Sequence, residues 1–170
     1  MRQELEKLGN YAECREKIIN DWAPFIVGTS TTLVEKSPPN LTKMAWLRKV
    51  FPGSKFIVIA RDPRATSGAT QKWSKTSLEE LMMHWNVAYS IAIKDDDPSD
   101  TVWVKYEELA SKPEAVIEML GKFIGVPRRT ESGAISPRFS KIENRNATYI
   151  AMHACTDYGY GAWNRLGYLV

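Results

Sequence analysis

Three rhythms of apolar and polar positions run along this chain. Leu41, Met44, Leu47, Val50 and Phe51 recur at helical spacing and predict a helix capped by Asn40 and stopped by Pro52-Gly53. Phe56-Ile57-Val58-Ile59-Ala60 is an unbroken apolar run, the pattern of a parallel strand buried on both faces. Arg61-Asp62-Pro63 follows it directly. Leu78, Leu81, Met82, Trp85, Tyr89 and Ala92 return to helical spacing, after Ser77 and Glu80 in a capping-box arrangement. Val102 and Val104 alternate within 101–106, which predicts a second strand. Val116, Ile117, Leu120, Phe123 and Ile124 predict a further amphipathic helix, opened by a second capping box at Ser111 and Glu114 and closed by Gly125.

The flanks are less periodic. The N-terminal segment reads as one or two short helices broken near Gly9-Asn10. The β-favouring run 31–34 predicts a strand that leaves the sheet at Pro38-Pro39, since neither proline suits a central strand. Residues 127–147 are polar and read as a long loop, and 147–163 as a last helix before Leu166-Gly167-Tyr168. Strands alternating with helices predict an α/β fold with a parallel sheet flanked by helices. The expectation is one domain over 1–170, with a helical N-terminal segment (1–30), a core (31–126), the loop (127–147) and a C-terminal helix and tail (148–170). In such sheets ligands bind beyond the carboxyl ends of the strands.

Composition narrows this only a little. The chain has 170 residues, enough for one domain with a real core, and its 44% apolar and 25% charged residues are those of an ordinary globular protein. No apolar stretch approaches the roughly 20 residues of a membrane span. The charged N-terminus is not a signal peptide. As it stands the chain suits the cytoplasm; as a piece of a longer, membrane-anchored protein it would suit the Golgi lumen. Cys14 and Cys155 can pair or stay free, and with only His84 and His153 beside them there is no metal-ligand spacing. The net charge of +3 mildly favours anionic ligands.

Two motifs lie at predicted strand ends. Arg61 stands where a buried strand meets the start of a helix, with Asp62 suited to cap it and Pro63 to its first position. A guanidinium beside free helix N–H groups is a good phosphate site, and Thr66, Ser67 and Thr70 add hydroxyls within reach. The plainer reading is a surface arginine at a turn. Lys36, in Glu35-Lys36-Ser37-Pro38, can neutralise a phosphate or sulfate oxygen, or sit in a solvated loop. Trp73 and Trp85 read as core residues, and His84 as a structural histidine. Asn146-Ala147-Thr148 is a glycosylation sequon.

Taken together, Leu33-Val-Glu-Lys-Ser-Pro-Pro-Asn40, Lys55-Phe-Ile-Val-Ile-Ala-Arg-Asp-Pro63, Tyr106-Glu-Glu-Leu109 with Pro113-Glu114, and Phe123-Ile-Gly-Val-Pro127 resemble the sulfotransferase superfamily. The stretch 69–78 with His84-Trp85 resembles its plant and algal branch. The resemblance implies a P-loop NTPase-like fold that transfers a sulfuryl group from PAPS (3′-phosphoadenosine 5′-phosphosulfate) to a hydroxyl or amine. It implies a nucleotide co-substrate and an acceptor (carbohydrate, peptide tyrosine or small molecule), with no metal and no nucleic acid. It makes Arg61 the ligand of the 3′-phosphate and Tyr106 an adenine contact. Lys36 would stabilise charge at the sulfate. The family's serine eight residues after that arginine is Ala69 here, so Thr70 is favoured as its substitute, with Ser67 and Thr66 as alternatives. A basic loop, here with Arg128, Arg129, Arg138, Lys141 and Arg145, closes on the 3′-phosphate in the family.

One expected part is missing from the sequence. The family's Gly-rich Lys-Thr loop for the 5′-phosphosulfate precedes the EKSP region, and residues 1–30 contain none; Gly28-Thr29-Ser30-Thr31-Thr32 has no lysine. The chain therefore reads as N-terminally truncated relative to the family. The catalytic base has no assignment beyond the candidates Glu35 and His84. Two alternatives follow: a degenerate or truncated nucleotide-binding module without catalysis, and a relative of P-loop nucleotide kinases.

Overall fold

The computed structural model describes residues 9–26, 32–126, 143–153 and 156–170. Among them are two strands, β1 (Phe56–Ala60) and β2 (Thr101–Lys105), which pair in parallel from Phe56↔Thr101 to Ala60↔Lys105. Eight α-helices accompany them: α1 (Tyr11–Trp22), α2 (Met44–Val50), α3 (Pro63–Gln71), α4 (Leu78–Lys94), α5 (Tyr106–Ser111), α6 (Pro113–Ile124), α7 (Asn146–Ile150) and α8 (Ala162–Arg165). The parallel pair requires a crossover, and α3 and α4 supply it.

Local chemistry explains most boundaries. Asn10 caps α1 by accepting the Glu13 N–H at 3.3 Å. Ser77 and Glu80 close a reciprocal capping box on α4, as the spacing predicts. Gly125 ends α6 at φ +74°, a conformation that favours glycine. Gly53, at φ +84°, turns the chain from α2 into β1.

The core lies on one side of β1. Ala60, Met82, Trp85, Ala162, Trp163 and Tyr168 form one buried cluster, and Met44, Val58 and Ala92 a second. Trp85 stacks on Tyr89 at 4.0 Å and meets Tyr168 edge-on at 6.3 Å. Arg48 ties α2 to the loop before β2: Nε and Nη2 donate to the two Asp100 oxygens at 2.6 and 2.8 Å, and Nη1 to the Asp95 carbonyl at 2.5 Å.

Several expectations need correction. The strand placed at 31–34 does not form in its described part: 32–37 is irregular backbone that borders an apolar groove shared with β1. For the same reason β1 is not buried on both faces, and Ile57 and Ile59 remain 41% and 48% exposed. Asn40 caps no α-helix; Pro38–Thr42 is a 3₁₀ turn and α2 starts after Lys43. Ser111 and Glu114 make no capping box, because Pro113 takes the first position of α6 and Lys112 its cap. The helix expected over 147–163 breaks into α7, a 3₁₀ turn at Ala151–His153, irregular backbone at 156–161, and α8. Trp85 is core, but Trp73, just past the end of α3, is 90% exposed. Of the polar stretch 127–147, residues 127–142 lie outside the described residues, as do Cys155 and Gly28–Thr31.

Candidate phosphate site

The register of the sheet creates this site. Ala60 and Lys105 are partners at the ends of β1 and β2, so Arg61 and Tyr106 leave the sheet side by side. The Arg61 guanidinium lies 4.8 Å over the Tyr106 ring and 5.6 Å from the ring of Tyr149 on α7. Its Nε donates to Asn146 Oδ1 at 2.8 Å. No carboxylate among the described residues forms an ion pair with it. Arg61 is thus a half-buried cation held by two aromatic faces and a neutral amide.

Behind it stands Glu107. Its Oε1 accepts the Asp62 N–H at 3.0 Å and Asn146 Nδ2 at 2.5 Å, and its Oε2 accepts the Tyr168 hydroxyl at 3.0 Å. Burial, and then the adjacent Glu107 carboxylate, push the Tyr168 hydroxyl well above the usual tyrosine range, so it remains a donor. On the other flank Lys72 donates to the Tyr149 hydroxyl at 3.0 Å and sits 4.8 Å from the ring centre. That hydrogen bond, with the nearby Arg61 and Arg145 charges, lowers the Tyr149 pKa. Arg61, Lys72 and Tyr149 together present cationic and hydroxyl groups to the same region.

The start of α3 is not the open anion cradle expected from the sequence. The Asp62 side chain accepts the Arg64 and Ala65 N–H groups at 2.9 and 3.3 Å, Pro63 has no N–H, and the Asp62 N–H goes to Glu107. Arg64 in turn holds the Asp62 carboxylate at 2.9 Å. The helix terminus is satisfied internally, so anion affinity here falls on side chains.

The hydroxyl candidates separate by position. Thr70 is exposed and donates back to the Thr66 carbonyl at 2.8 Å, and Thr66 donates to the Asp62 carbonyl at 3.1 Å. Ser67 is 1% exposed, with no hydrogen-bond partner for its hydroxyl among the described residues. Lys36 is exposed and lies elsewhere, on a groove of about 640 Å³ that Glu35, Ile57, Ile59 and Tyr89 also line and Arg61 and Tyr106 do not. Glu35 accepts from Asn40 on the same rim, and His84 is exposed on α4. The structure therefore brings Arg61 and Tyr106 together, with Thr70 and Ser67 on the adjoining helix, and leaves Lys36 apart. Arg145, the described member of the basic loop, pairs with Glu143 at 2.5 Å; Arg128, Arg129, Arg138 and Lys141 lie outside the described residues.

Sequence reasoning missed Glu107, Asn146, Tyr149 and Lys72. Glu107 was in view within Tyr106-Glu-Glu-Leu109, but nothing distinguished it from Glu108. Asn146 was visible only as a sequon. Its amide is buried at 7% exposure and engaged at both ends, so it is committed to the fold.

A parallel sheet with flanking helices defines the class as an α/β fold, and in that class the carboxyl edge of the sheet, where Arg61 stands, is the usual place for a ligand. The model of the sulfotransferase family matches residues 5–131, and the chain belongs to that family. Protein-tyrosine sulfotransferase A of Caenorhabditis elegans is 27% identical over 105 residues, which cover 56% of this chain and 28% of that protein. Protein-tyrosine sulfotransferase 1 of Danio rerio is 30% identical over 106 residues, with 56% and 29% coverage. The chain thus spans under a third of the length of these curated relatives. Among solved structures, a sulfotransferase domain from the curacin biosynthetic pathway shares the fold at a TM-score of 0.59 and 18% identity, covering 94% of this chain and 68% of that domain. Family membership displaces the kinase reading. These likenesses do not bear on the plant and algal branch.

Proposed function

We propose that this chain carries the 3′-phosphate side of a PAPS site and serves a sulfotransferase that moves a sulfuryl group onto a hydroxyl or amine acceptor. The observation that carries the reading is Arg61, a cation at the sheet's carboxyl edge with no carboxylate partner among the described residues. Arg61 grips the 3′-phosphate in this reading. Tyr106 lies against the adenine side, and Thr70 or Ser67 supplies a hydroxyl, Ser67 only if α3 shifts to uncover it. Lys72 and the Tyr149 hydroxyl are placed to add charge and a hydrogen bond where Ala69 offers none.

In the reaction, the acceptor oxygen attacks the PAPS sulfur in line. The new S–O bond forms as the bond from sulfur to the 5′-phosphate oxygen breaks, and adenosine 3′,5′-bisphosphate departs. The acceptor's proton passes to a base, for which Glu35 and His84 remain the candidates. Lys36 is assigned to charge at the sulfate, in a groove apart from Arg61. The likeness to protein-tyrosine sulfotransferases makes a peptide tyrosine the first acceptor to assay.

Calorimetric titration with adenosine 3′,5′-bisphosphate tests the binding half of the proposal. Arg61→Ala should weaken binding about tenfold or more, the loss of a charge-assisted hydrogen-bond pair. Equal affinity in the variant, or no binding by the parent, sinks the assignment. A second reading, binding without transfer, is favoured by the absence of a Gly-rich Lys-Thr loop from this sequence. Transfer of label from [³⁵S]PAPS to a tyrosine peptide by this chain would eliminate it.

A further inference from the structure

We infer that Glu107 and Asn146 act as a positioning pair that aims Arg61 at the 3′-phosphate without neutralising it; the inference rests on the function proposed above. An arginine that must bind an anion needs a fixed orientation, and a carboxylate is the usual way to fix one. A carboxylate in direct contact would also compete with the ligand, since both offer oxygens to the same fork. Here an amide is interposed. Asn146 Nδ2 donates to Glu107 Oε1 at 2.5 Å, which settles which end of the amide faces away. Oδ1 is then left to accept from Arg61 Nε at 2.8 Å. The remaining guanidinium nitrogens keep their donors for a ligand, between the rings of Tyr106 and Tyr149.

Glu107 is itself pinned from three directions. It takes the Asp62 N–H at the head of α3, the Asn146 amide at the head of α7, and the Tyr168 hydroxyl in the C-terminal tail. These segments are distant in sequence, and all three meet at one carboxylate. Asn146 is buried, so water does not compete for its amide. An isolated surface asparagine could rotate; this one has a single satisfying orientation.

The experiment compares two nucleotides on the 170-residue chain. Adenosine 3′,5′-bisphosphate reports Arg61 and the rest of the site, and 5′-AMP reports the rest alone. Asn146→Ala should reduce the preference for the bisphosphate about fivefold while changing 5′-AMP affinity less than about twofold, as the loss of one orienting hydrogen bond implies. Glu107→Ala should do the same. Glu107→Gln should restore most of the preference, because its amide oxygen still accepts from Asp62 and Asn146. The double variant Glu107→Ala/Asn146→Ala should be no worse than either single change, as expected of residues acting in series. Equal losses for both nucleotides would mean a purely structural role and overturn the inference; so would an unchanged preference in Asn146→Ala. If Glu107→Ala does not fold, Asn146→Ala and Glu107→Gln still decide. A parent chain with no preference for the bisphosphate, or one that Arg61→Ala leaves intact, fails at the proposed function itself, before the pair is tested.

Discussion

At Arg61 no carboxylate among the described residues contacts the cation directly. Glu107 reaches it through the Asn146 amide, and Asp62 is held by Arg64 and the helix it caps. The same arrangement decides the fate of the sequon. A glycan attaches to the side-chain nitrogen of asparagine, and in Asn146 that nitrogen donates to Glu107 in a buried setting. Expressed through a secretory pathway, the folded chain should therefore carry no glycan at Asn146, and N-glycosidase treatment should leave its electrophoretic mobility unchanged. A shift abolished by Thr148→Ala would show that the amide is released before folding closes over it. From sequence alone the sequon and the structural asparagine look identical, because the difference is made by Glu107, a residue distant in the chain.

Among the secondary-structure elements, the best-read ones carry their own signals. β1 announces itself by composition, α4 by period and capping box, and the turn into α3 by Asp-Pro. Elements defined by partners were illegible. The C-terminal segment has aromatics enough for one helix, yet Trp163 and Tyr168 reach the core only if the chain bends, and the bend was invisible. The tie between α2 and the loop before β2 is of the same kind. Arg48 reads as one more basic residue on a helix, yet it makes a bidentate pair with Asp100. The Arg48 hydrogen bond holds the Asp100 carboxyl below the usual aspartate range. A carboxyl depressed in the folded state stabilises the fold above its unfolded pKa, about 3.9, and loses that contribution as pH falls through the lower folded value. Arg48→Met should thus lower unfolding free energy at pH 7 by about 1.5–3 kcal/mol, the range for a charge-assisted hydrogen bond. The gap between variant and parent should narrow below pH 4. Chemical denaturation at pH 7, 5 and 3 checks this, and a gap that stays constant with pH would contradict the role given to Asp100.

For the molecule as a whole, the informative surface is the groove between 32–37 and β1. The sequence places β1 under cover on both faces because the run Phe56–Ala60 is apolar throughout, and the structure covers only one. What the sequence could not supply was the covering layer: among the described residues Val58 and Ala60 are buried while Ile57 and Ile59 face the groove. Apolar side chains that face solvent contribute little to folding, whereas those in the packed clusters contribute in proportion to the cavity they would leave. Ile57→Ser and Ile59→Ser should therefore each change stability by less than about 1 kcal/mol, and Met44→Ala, at 2% exposure, should cost about 2–5 kcal/mol. The groove should also bind 8-anilinonaphthalene-1-sulfonate in the native state, under conditions where near-ultraviolet circular dichroism shows fixed tertiary packing. The dye signal should drop in Ile57→Asp/Ile59→Asp, and that drop should come without a matching loss of near-ultraviolet signal. A dye response that survives this double change would place the apolar surface elsewhere. A stability loss for Ile59→Ser comparable to that of Met44→Ala would mean that the groove face of β1 is covered in solution and contributes to the core.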